Sequence, residues 1–190
     1  MAYLNRIADT VLQDNLDASG AVLIEGPKWC GKTTTAEQKA NSKISLQDVD
    51  MREEYMATAA SKPSLLLIGD TPRLIDEWQD APVIWDAVRT MCDKRGGEPG
   101  QFILTGSNTV DKSRTRHSGT GRIAKMSMLP MSLWESQEST GEVSLMELFN
   151  NPDYDIDGKM SNMSIEDLVF AASRGGWPAS LTAKTTKAQL

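Results

Sequence analysis

Apolar and polar positions alternate along the chain in two different rhythms. Short continuous apolar runs, such as AVLI at 21–24 and FIL at 102–104, are typical of strands that are buried on both faces of a parallel sheet. Other stretches, such as 3–18, have apolar residues every three or four positions, which predicts amphipathic helices. The alternation of the two patterns predicts an α/β fold with helices on both faces of a parallel sheet.

The predicted elements follow from these rhythms and from glycine and proline signals between them. Strands are predicted at 21–25, 43–48, 73–78, 101–107 and 122–130, and 64–70 is either a strand or a loop packed on the core. Helices are predicted at 3–18, 32–40, 50–60, from Pro82 to the turn at 94–100, and at 131–138, 142–150 and 164–173. We therefore expect a core at 1–135 and a small helical annex at 136–190.

A glycine-rich loop follows the first predicted strand. The sequence GPKWCGKTTTA has Gly26, Gly31, Lys32 and Thr33 at the spacing of a phosphate-binding loop. Backbone N–H groups of 28–33 would face phosphate at the positive end of a helix, Lys32 would bridge the β- and γ-phosphates, and Thr33 would bind Mg²⁺. The predicted nucleotide-binding residues are Gly26, Pro27, Lys28, Trp29, Cys30, Gly31, Lys32, Thr33 and Thr34.

Two letters of this loop are not fixed by the motif. Trp29 is interpreted as a packing residue rather than an adenine-stacking one, because the inside of such a loop faces phosphates. Cys30 is interpreted as a small loop residue rather than a redox-sensitive thiol. Cys30 and Cys92 are the two cysteines of the chain, and we expect both to be free thiols in a reducing compartment.

An acidic pair follows a second apolar stretch. In RLIDEWQD, Asp76 and Glu77 would lie at the carboxyl end of a strand, beside the phosphate loop. Asp76 would hold Mg²⁺ and Glu77 would polarise a water molecule for attack on the γ-phosphate. A solvated acidic turn is the alternative. A kinase needs no water-activating glutamate here, and the Asn-Lys-x-Asp guanine signature of GTPases is missing from the sequence.

Polar residues also end the strand QFILTGSN. Thr105, Ser107 and Asn108 could contact the γ-phosphate or the attacking water, and Ser107 and Asn108 are the better candidates because they come last. A Ser or Asx turn is the alternative interpretation.

A basic segment contains Lys112, Arg114, Arg116, His117 and Arg122. Three interpretations stay open: an arginine finger that acts on a neighbouring subunit's nucleotide, a nucleic-acid phosphate contact, or a solvated loop. Arg122 is the best finger candidate because it directly precedes a predicted strand. His117 has no metal-binding partners in the sequence pattern and is interpreted as a surface residue.

Net charge and hydropathy limit which classes of binding partner we expect. The chain has 20 Lys plus Arg against 26 Asp plus Glu, a net charge of −6, which disfavours general nucleic-acid binding without excluding a local basic patch. No secretory signal or membrane-spanning apolar run is visible, so we expect a cytoplasmic protein with no membrane partner.

The ordered motifs LIEGPKWCGKTTTA, RLIDEWQDAPVIWDAVR, QFILTGSN, GRIAKMSMLPMSLWE and SRGGWPAS resemble a known family. This family comprises bacterial and archaeal AAA+-type P-loop ATPases in which a nuclease-like C-terminal domain of unknown function follows the ATPase domain. The resemblance covers most of 3–180. It implies a parallel five-stranded sheet, ATP with Mg²⁺, a water-activating Glu77 and a sensor-like role for Ser107 or Asn108. Arg122 lies in the family's GR segment.

Members of that family are usually longer, and the C-terminal domain has no counterpart here. We therefore expect a fragment or a degenerate copy. The first functional hypothesis is ATP hydrolysis coupled to a conformational change of an attached or partner domain, with a second copy or another protein as partner. The alternatives are an ATP/ADP-binding switch with little intrinsic hydrolysis and, less favoured, a small-molecule kinase.

Overall fold

Five strands form one parallel sheet in the order β2-β3-β4-β1-β5 in the computed structural model, which describes residues 3–107 and 119–182. The strands are β1 Ala21–Gly26, β2 Ser42–Ser45, β3 Arg73–Asp76, β4 Phe102–Ser107 and β5 Ile123–Ser127. The predicted parallel five-stranded sheet is thus confirmed. Asn108 and the basic residues 112–117 lie outside the described residues.

Seven α-helices and two 3₁₀ helices make up the rest of the regular structure among the described residues. The α-helices are α1 Ile7–Ala18, α2 Lys32–Glu37, α3 Arg52–Ser61, α4 Val83–Lys94, α5 Leu145–Asn150, α6 Ile165–Arg174 and α7 Pro178–Thr182, and the 3₁₀ helices are Pro63–Leu67 and Trp78–Asp80. Within the two described ranges, no helix is both long and apolar enough to cross a membrane.

Alternate side chains of each strand enter two separate hydrophobic layers, because successive strand residues point to opposite faces. On one face, Val22, Ile24 and Ile103 pack with Leu12 and Leu16 of α1. On the other face, strand residues pack with α3, α4 and the first 3₁₀ helix. That layer includes Leu23, Ile75, Leu104, Ala59, Leu67, Ile84 and Val88. Both faces of the sheet are therefore covered, as the continuous apolar runs predict.

The strand register brings three carboxyl ends to one edge of the sheet. Gly26 lies opposite Ser107, and Asp76 lies opposite Thr105. This alignment places the phosphate loop after β1 next to the acidic pair after β3.

Several element boundaries differ from the prediction. The 64–70 stretch, predicted as a strand or a loop packed on the core, contains no strand: Pro63–Leu67 is a 3₁₀ helix, and its Leu66 and Leu67 are buried. The helix predicted at 131–138 is wrong: this stretch is a run of turns, because Ser132 donates backbone and side-chain hydrogen bonds to the Glu135 carboxylate and Gln137 has φ +66°. Helix α2 ends at Glu37, after which hydrogen bonds tighten to three-residue spacing, as from Gln38 N–H to Thr35 O.

Contacts divide the chain into two compact units. The core unit, Arg6–Leu129, contains the whole sheet and helices α1 to α4. The C-terminal unit comprises the described residues before Arg6 and after Leu129, with α5, α6 and α7.

Two contacts organise the C-terminal unit. Ser164 and Asp167 form the predicted capping box at the start of α6. Arg174 at the end of α6 donates two hydrogen bonds to the Glu138 carboxylate, at 2.9 and 2.7 Å. Large apolar side chains of α5, including Phe149, remain exposed.

Candidate functional site

The phosphate loop connects β1 to α2 through two glycines that the geometry requires for different reasons. A side chain at Gly26 would place its Cβ 2.1 Å from the Met128 carbonyl oxygen, so no larger residue fits between β1 and the end of β5. Gly31 has φ +105°, a backbone conformation that favours glycine. The loop is thus held close to the sheet and turns sharply into α2.

Lys32 lies under this loop and is only 6% exposed. Its Nζ donates to the carbonyl oxygens of Gly26 at 3.0 Å and Pro27 at 2.9 Å. The ammonium group therefore lies inside the curve of the loop. The structure thus brings the predicted phosphate-binding lysine and the start of the loop together.

Thr33 joins the loop to the acidic end of β3. Its hydroxyl donates to Asp76 Oδ1 at 2.7 Å, and the Thr105 hydroxyl donates to the same oxygen at 2.5 Å. Asp76 is buried, and its Oδ2 accepts no hydrogen bond from any residue of the described ranges. One carboxylate oxygen of Asp76 is thus held by two hydroxyls, one from the loop and one from β4.

Glu77 directly follows β3 and has an uncommon backbone conformation, with φ +56° and ψ +48°. A non-glycine residue in this region is strained, and such strain clusters at functional sites. The backbone N–H of Glu77 donates to the Thr105 hydroxyl at 3.3 Å. Gln79 donates a hydrogen bond from its side-chain amide to the Glu77 carboxylate. Glu77 is therefore next to Asp76, but its carboxylate is already engaged.

The remaining loop residues differ in how far they are exposed to solvent. Lys28 and Thr34 are exposed, and Cys30 is fully buried with its thiol 3.5 Å from the Met128 carbonyl oxygen. Trp29 has φ +64° and is 79% exposed, so its interpretation as a packing residue is wrong. The reason is that Cys30 occupies the inward position of the loop, which turns Trp29 outward.

Both cysteines are free thiols, as predicted, and both are buried. Burial raises the pKa of the Cys92 thiol to about 11, so this thiol stays protonated at neutral pH.

Ser107 and Arg122, two further residues of the predicted site, lie at opposite ends of the strands. Ser107 ends β4 beside Gly26, at the same edge as the phosphate loop. Arg122 precedes β5, at the opposite edge of the sheet, and its Nε donates to Asp93 Oδ1 at 2.8 Å. Within one chain, Arg122 is therefore not brought to the phosphate loop, and its finger role in a neighbouring subunit stays a prediction. Asn108 lies outside the described part.

The residues present fit a magnesium ion that is shared with phosphate. Mg²⁺ prefers oxygen ligands and is usually held by one or two carboxylates together with substrate phosphates and water. Thr33 and Asp76 supply a hydroxyl and a carboxylate oxygen side by side, at the mouth of the loop. The fit rests on these two oxygens and on the position of Thr33 directly after Lys32 in the chain.

Sequence reasoning missed the contacts that three residues make in the site. It named Thr105 only as a weaker phosphate contact, whereas Thr105 holds both Asp76 and the Glu77 backbone. It did not identify Gln79, which bonds the Glu77 side chain, or Arg6, whose guanidinium donates to the Cys30 carbonyl oxygen. The DEWQD spacing could have suggested Gln79, but no signal in the sequence links Arg6 to the loop.

Comparison of the sequence with known protein families identifies one match. The sequence at residues 18–137 matches a family model described as AAA domain. Among curated proteins, none matches the sequence.

Among solved structures, the fold is similar to that of the replication initiator DnaA bound to AMPPCP and single-stranded DNA, with a TM-score of 0.47 and 13% sequence identity. That match covers 93% of this chain, which spans 58% of the DnaA chain. Because the family model covers more than half of the 190 residues, the chain belongs to the AAA domain family of P-loop ATPases.

Proposed function

We propose that this chain binds Mg-ATP at the phosphate loop and hydrolyses it to ADP and phosphate. Hydrolysis would be coupled to a conformational change of an attached or partner domain, in the cytoplasm. The observation that carries the proposal is the 2.7 Å contact between Thr33 and Asp76. It brings the loop's hydroxyl and the acidic strand end together, directly beside Glu77.

Each residue has a role that follows from its chemistry. Lys32 would exchange its two carbonyl contacts for phosphate oxygens, which bind an ammonium more strongly because they are charged. Thr33 and Asp76 would hold Mg²⁺, which supplies neutralisation of phosphate charge when bound. Ser107, with Asn108 after it, would contact the γ-phosphate or the water from the neighbouring strand.

Glu77 would orient the attacking water and accept its proton while the water oxygen bonds to the γ-phosphorus and ADP leaves. Its position supports this role, since it follows Asp76 at the strand end and is held there through Thr105. The strained backbone of Glu77 supports a functional rather than a purely structural position.

The first test measures ATP binding and hydrolysis for the wild type, Lys32→Ala and Glu77→Gln. We expect Lys32→Ala to lose affinity for ATP by about tenfold or more, because a charge-assisted contact to phosphate is removed. Glu77→Gln should keep the affinity and lose turnover by about 100-fold or more. Undiminished binding by Lys32→Ala would show that the loop is not the site, and equal turnover by Glu77→Gln would remove Glu77 as the base.

One contact favours a second candidate function, an ATP/ADP-binding switch with little intrinsic hydrolysis. The Glu77 carboxylate accepts a hydrogen bond from Gln79, and a carboxylate so engaged is less available to a water molecule. Tight binding with a near-zero single-turnover rate would favour the switch, whereas measurable turnover that depends on Glu77 would favour the ATPase.

A further inference from the structure

A buried arginine connects the phosphate loop to the end of β5. Arg6 precedes α1 and is only 6% exposed. Its Nη1 donates to the Cys30 carbonyl oxygen at 2.8 Å, and its Nη2 donates to the Leu129 carbonyl oxygen at 2.8 Å. The Arg6 backbone N–H donates to Asp9 Oδ2 at 2.7 Å, which fixes the residue at the start of α1.

The contact with Cys30 has a direct consequence for the loop. A trans peptide is planar, so its C=O and its N–H point in opposite directions. Because Arg6 holds the Cys30 carbonyl on one side, the N–H of Gly31 in the same peptide must point to the other side. Gly31 is also the residue at which the loop turns into α2.

A loop that binds phosphate through its backbone must present N–H groups and turn its carbonyls away, since a carbonyl oxygen repels phosphate. Lys32 lies at the carbonyl oxygens of the first two loop residues, Gly26 and Pro27. Arg6 controls the carbonyl at the other end of the loop. The two cations thus act on opposite ends of the same loop, one inside it and one behind it.

We propose that Arg6 is a positioning residue for the nucleotide site, which aims the Gly31 N–H at phosphate by holding the Cys30 carbonyl behind the loop. This inference rests on the proposed function. The guanidinium is suited to the task because its planar fork donates to two acceptors at once, whereas a lysine is a single point charge. Through Leu129, the same side chain anchors the loop to the last residue of the core unit.

The test compares Arg6→Lys with Arg73→Lys. Arg73 is a matched control because it also donates to a backbone carbonyl, Leu66 O at 2.8 Å, and to the Ser42 hydroxyl at 3.0 Å, but at the amino end of β3. Calorimetric titration with Mg-ADP and Mg-ATP should give about tenfold weaker binding for Arg6→Lys. Arg73→Lys should bind both nucleotides like the wild type.

Thermal unfolding of both variants without nucleotide shows whether Arg6 positions the loop for nucleotide or only stabilises the fold. A variant Arg6→Lys that loses stability but binds nucleotide with wild-type affinity would overturn the proposal. A wild-type protein that binds no nucleotide would instead refute the proposed function, so the two failures are distinguishable.

If Arg6→Lys does not fold, NMR of the wild-type protein still tests the proposed role of Arg6. The ¹⁵N resonances of the Arg6 guanidinium should shift on addition of Mg-ADP, since Arg6 holds the peptide that binds phosphate, while those of Arg73 should not. An Arg6 resonance that stays in place at saturating Mg-ADP would overturn the proposal.

Discussion

Thr105 shows how much of the site depends on one buried hydroxyl. It donates to Asp76 and accepts from the backbone of Glu77, so it orients both members of the acidic pair. A threonine suits this place because its β-branched side chain packs within β4 while its hydroxyl has one proton to donate and lone pairs to accept. The ordering of the acidic pair therefore comes from the neighbouring strand and not from the turn that contains the pair.

Gln79 is the residue that we expect to restrain turnover. Its amide nitrogen donates to the Glu77 carboxylate, while its amide oxygen is buried and has no hydrogen-bond partner among the described residues. Gln79→Leu keeps a similar volume and frees Glu77. We expect turnover to rise about fivefold, which corresponds to roughly 1 kcal/mol, the net worth of one hydrogen bond. Steady-state hydrolysis at saturating ATP measures this.

The control for that variant is Gln47→Leu. Gln47 also donates to a carboxylate, Asp80 Oδ2 at 3.4 Å, but this contact is exposed and does not involve Glu77. Its removal should leave turnover unchanged. A fall in turnover for Gln79→Leu would mean that Gln79 orients Glu77 for catalysis rather than restraining it.

The sequence predicts residues such as Gly26, Lys32, Thr33 and Asp76 because the chemistry of phosphate fixes their types and spacing. It does not predict Arg6, because its contact with Cys30 spans 24 positions and depends on how α1 packs. The same holds for the outward turn of Trp29, which follows from the backbone angles of one loop rather than from residue type.

At the scale of elements, apolar patterning predicts which segments are strands better than it predicts where they end. The helix predicted at 131–138 does not form, because short-range hydrogen bonds between Ser132 and Glu135 compete with helical hydrogen bonds. Serine side chains often compete with a helix in this way. Strand β3 ends at Asp76 because Glu77 adopts a left-handed conformation, which no periodicity reports. The apolar pattern also does not predict the strand order and register of the sheet, since these depend on contacts between strands that are distant in the sequence.

The turn at 133–138 is held to α6 by an ion pair that makes the C-terminal unit sensitive to acid. Arg174 holds the pKa of Glu138 below its ordinary value of 4.5 through two hydrogen bonds. Because the folded pKa is depressed, the pair's stabilisation is complete above that ordinary value and is lost as pH falls through the folded pKa. We therefore expect Glu138→Gln to reduce the free energy of unfolding at neutral pH by about 1–2 kcal/mol.

Urea unfolding of Glu138→Gln at neutral and acidic pH measures this prediction, and the difference from the wild type should shrink as pH falls. Glu37→Gln is the control, because Glu37 pairs with Lys43 on the exposed surface at 2.6 Å. Such a pair is worth less than about 1 kcal/mol. A difference between Glu138→Gln and the wild type that stays constant down to acidic pH would contradict the assigned role.

For the whole molecule, the two edges of the sheet have different chemistry. The carboxyl edge gathers the phosphate loop, Asp76 and Ser107, whereas the amino edge carries Arg122 and its partner Asp93. An arginine at the amino edge could stabilise transition-state charge only on the nucleotide of another subunit. A surface ion pair such as Arg122–Asp93 is weak, so it would release the guanidinium at little cost.

If Arg122 acts in this way, turnover per subunit should rise with protein concentration, because the active species then contains two chains. Arg122→Ala should flatten that curve and lower turnover at high concentration by about 100-fold or more, with ATP affinity unchanged. Asp93→Asn should instead steepen it, because Arg122 loses its partner. Arg95→Ala is the control, since Arg95 lies near the same edge over the Phe102 ring. Turnover per subunit that does not depend on concentration would exclude a finger in trans, and ATP hydrolysis would then depend on Lys32 and Glu77 of one chain alone.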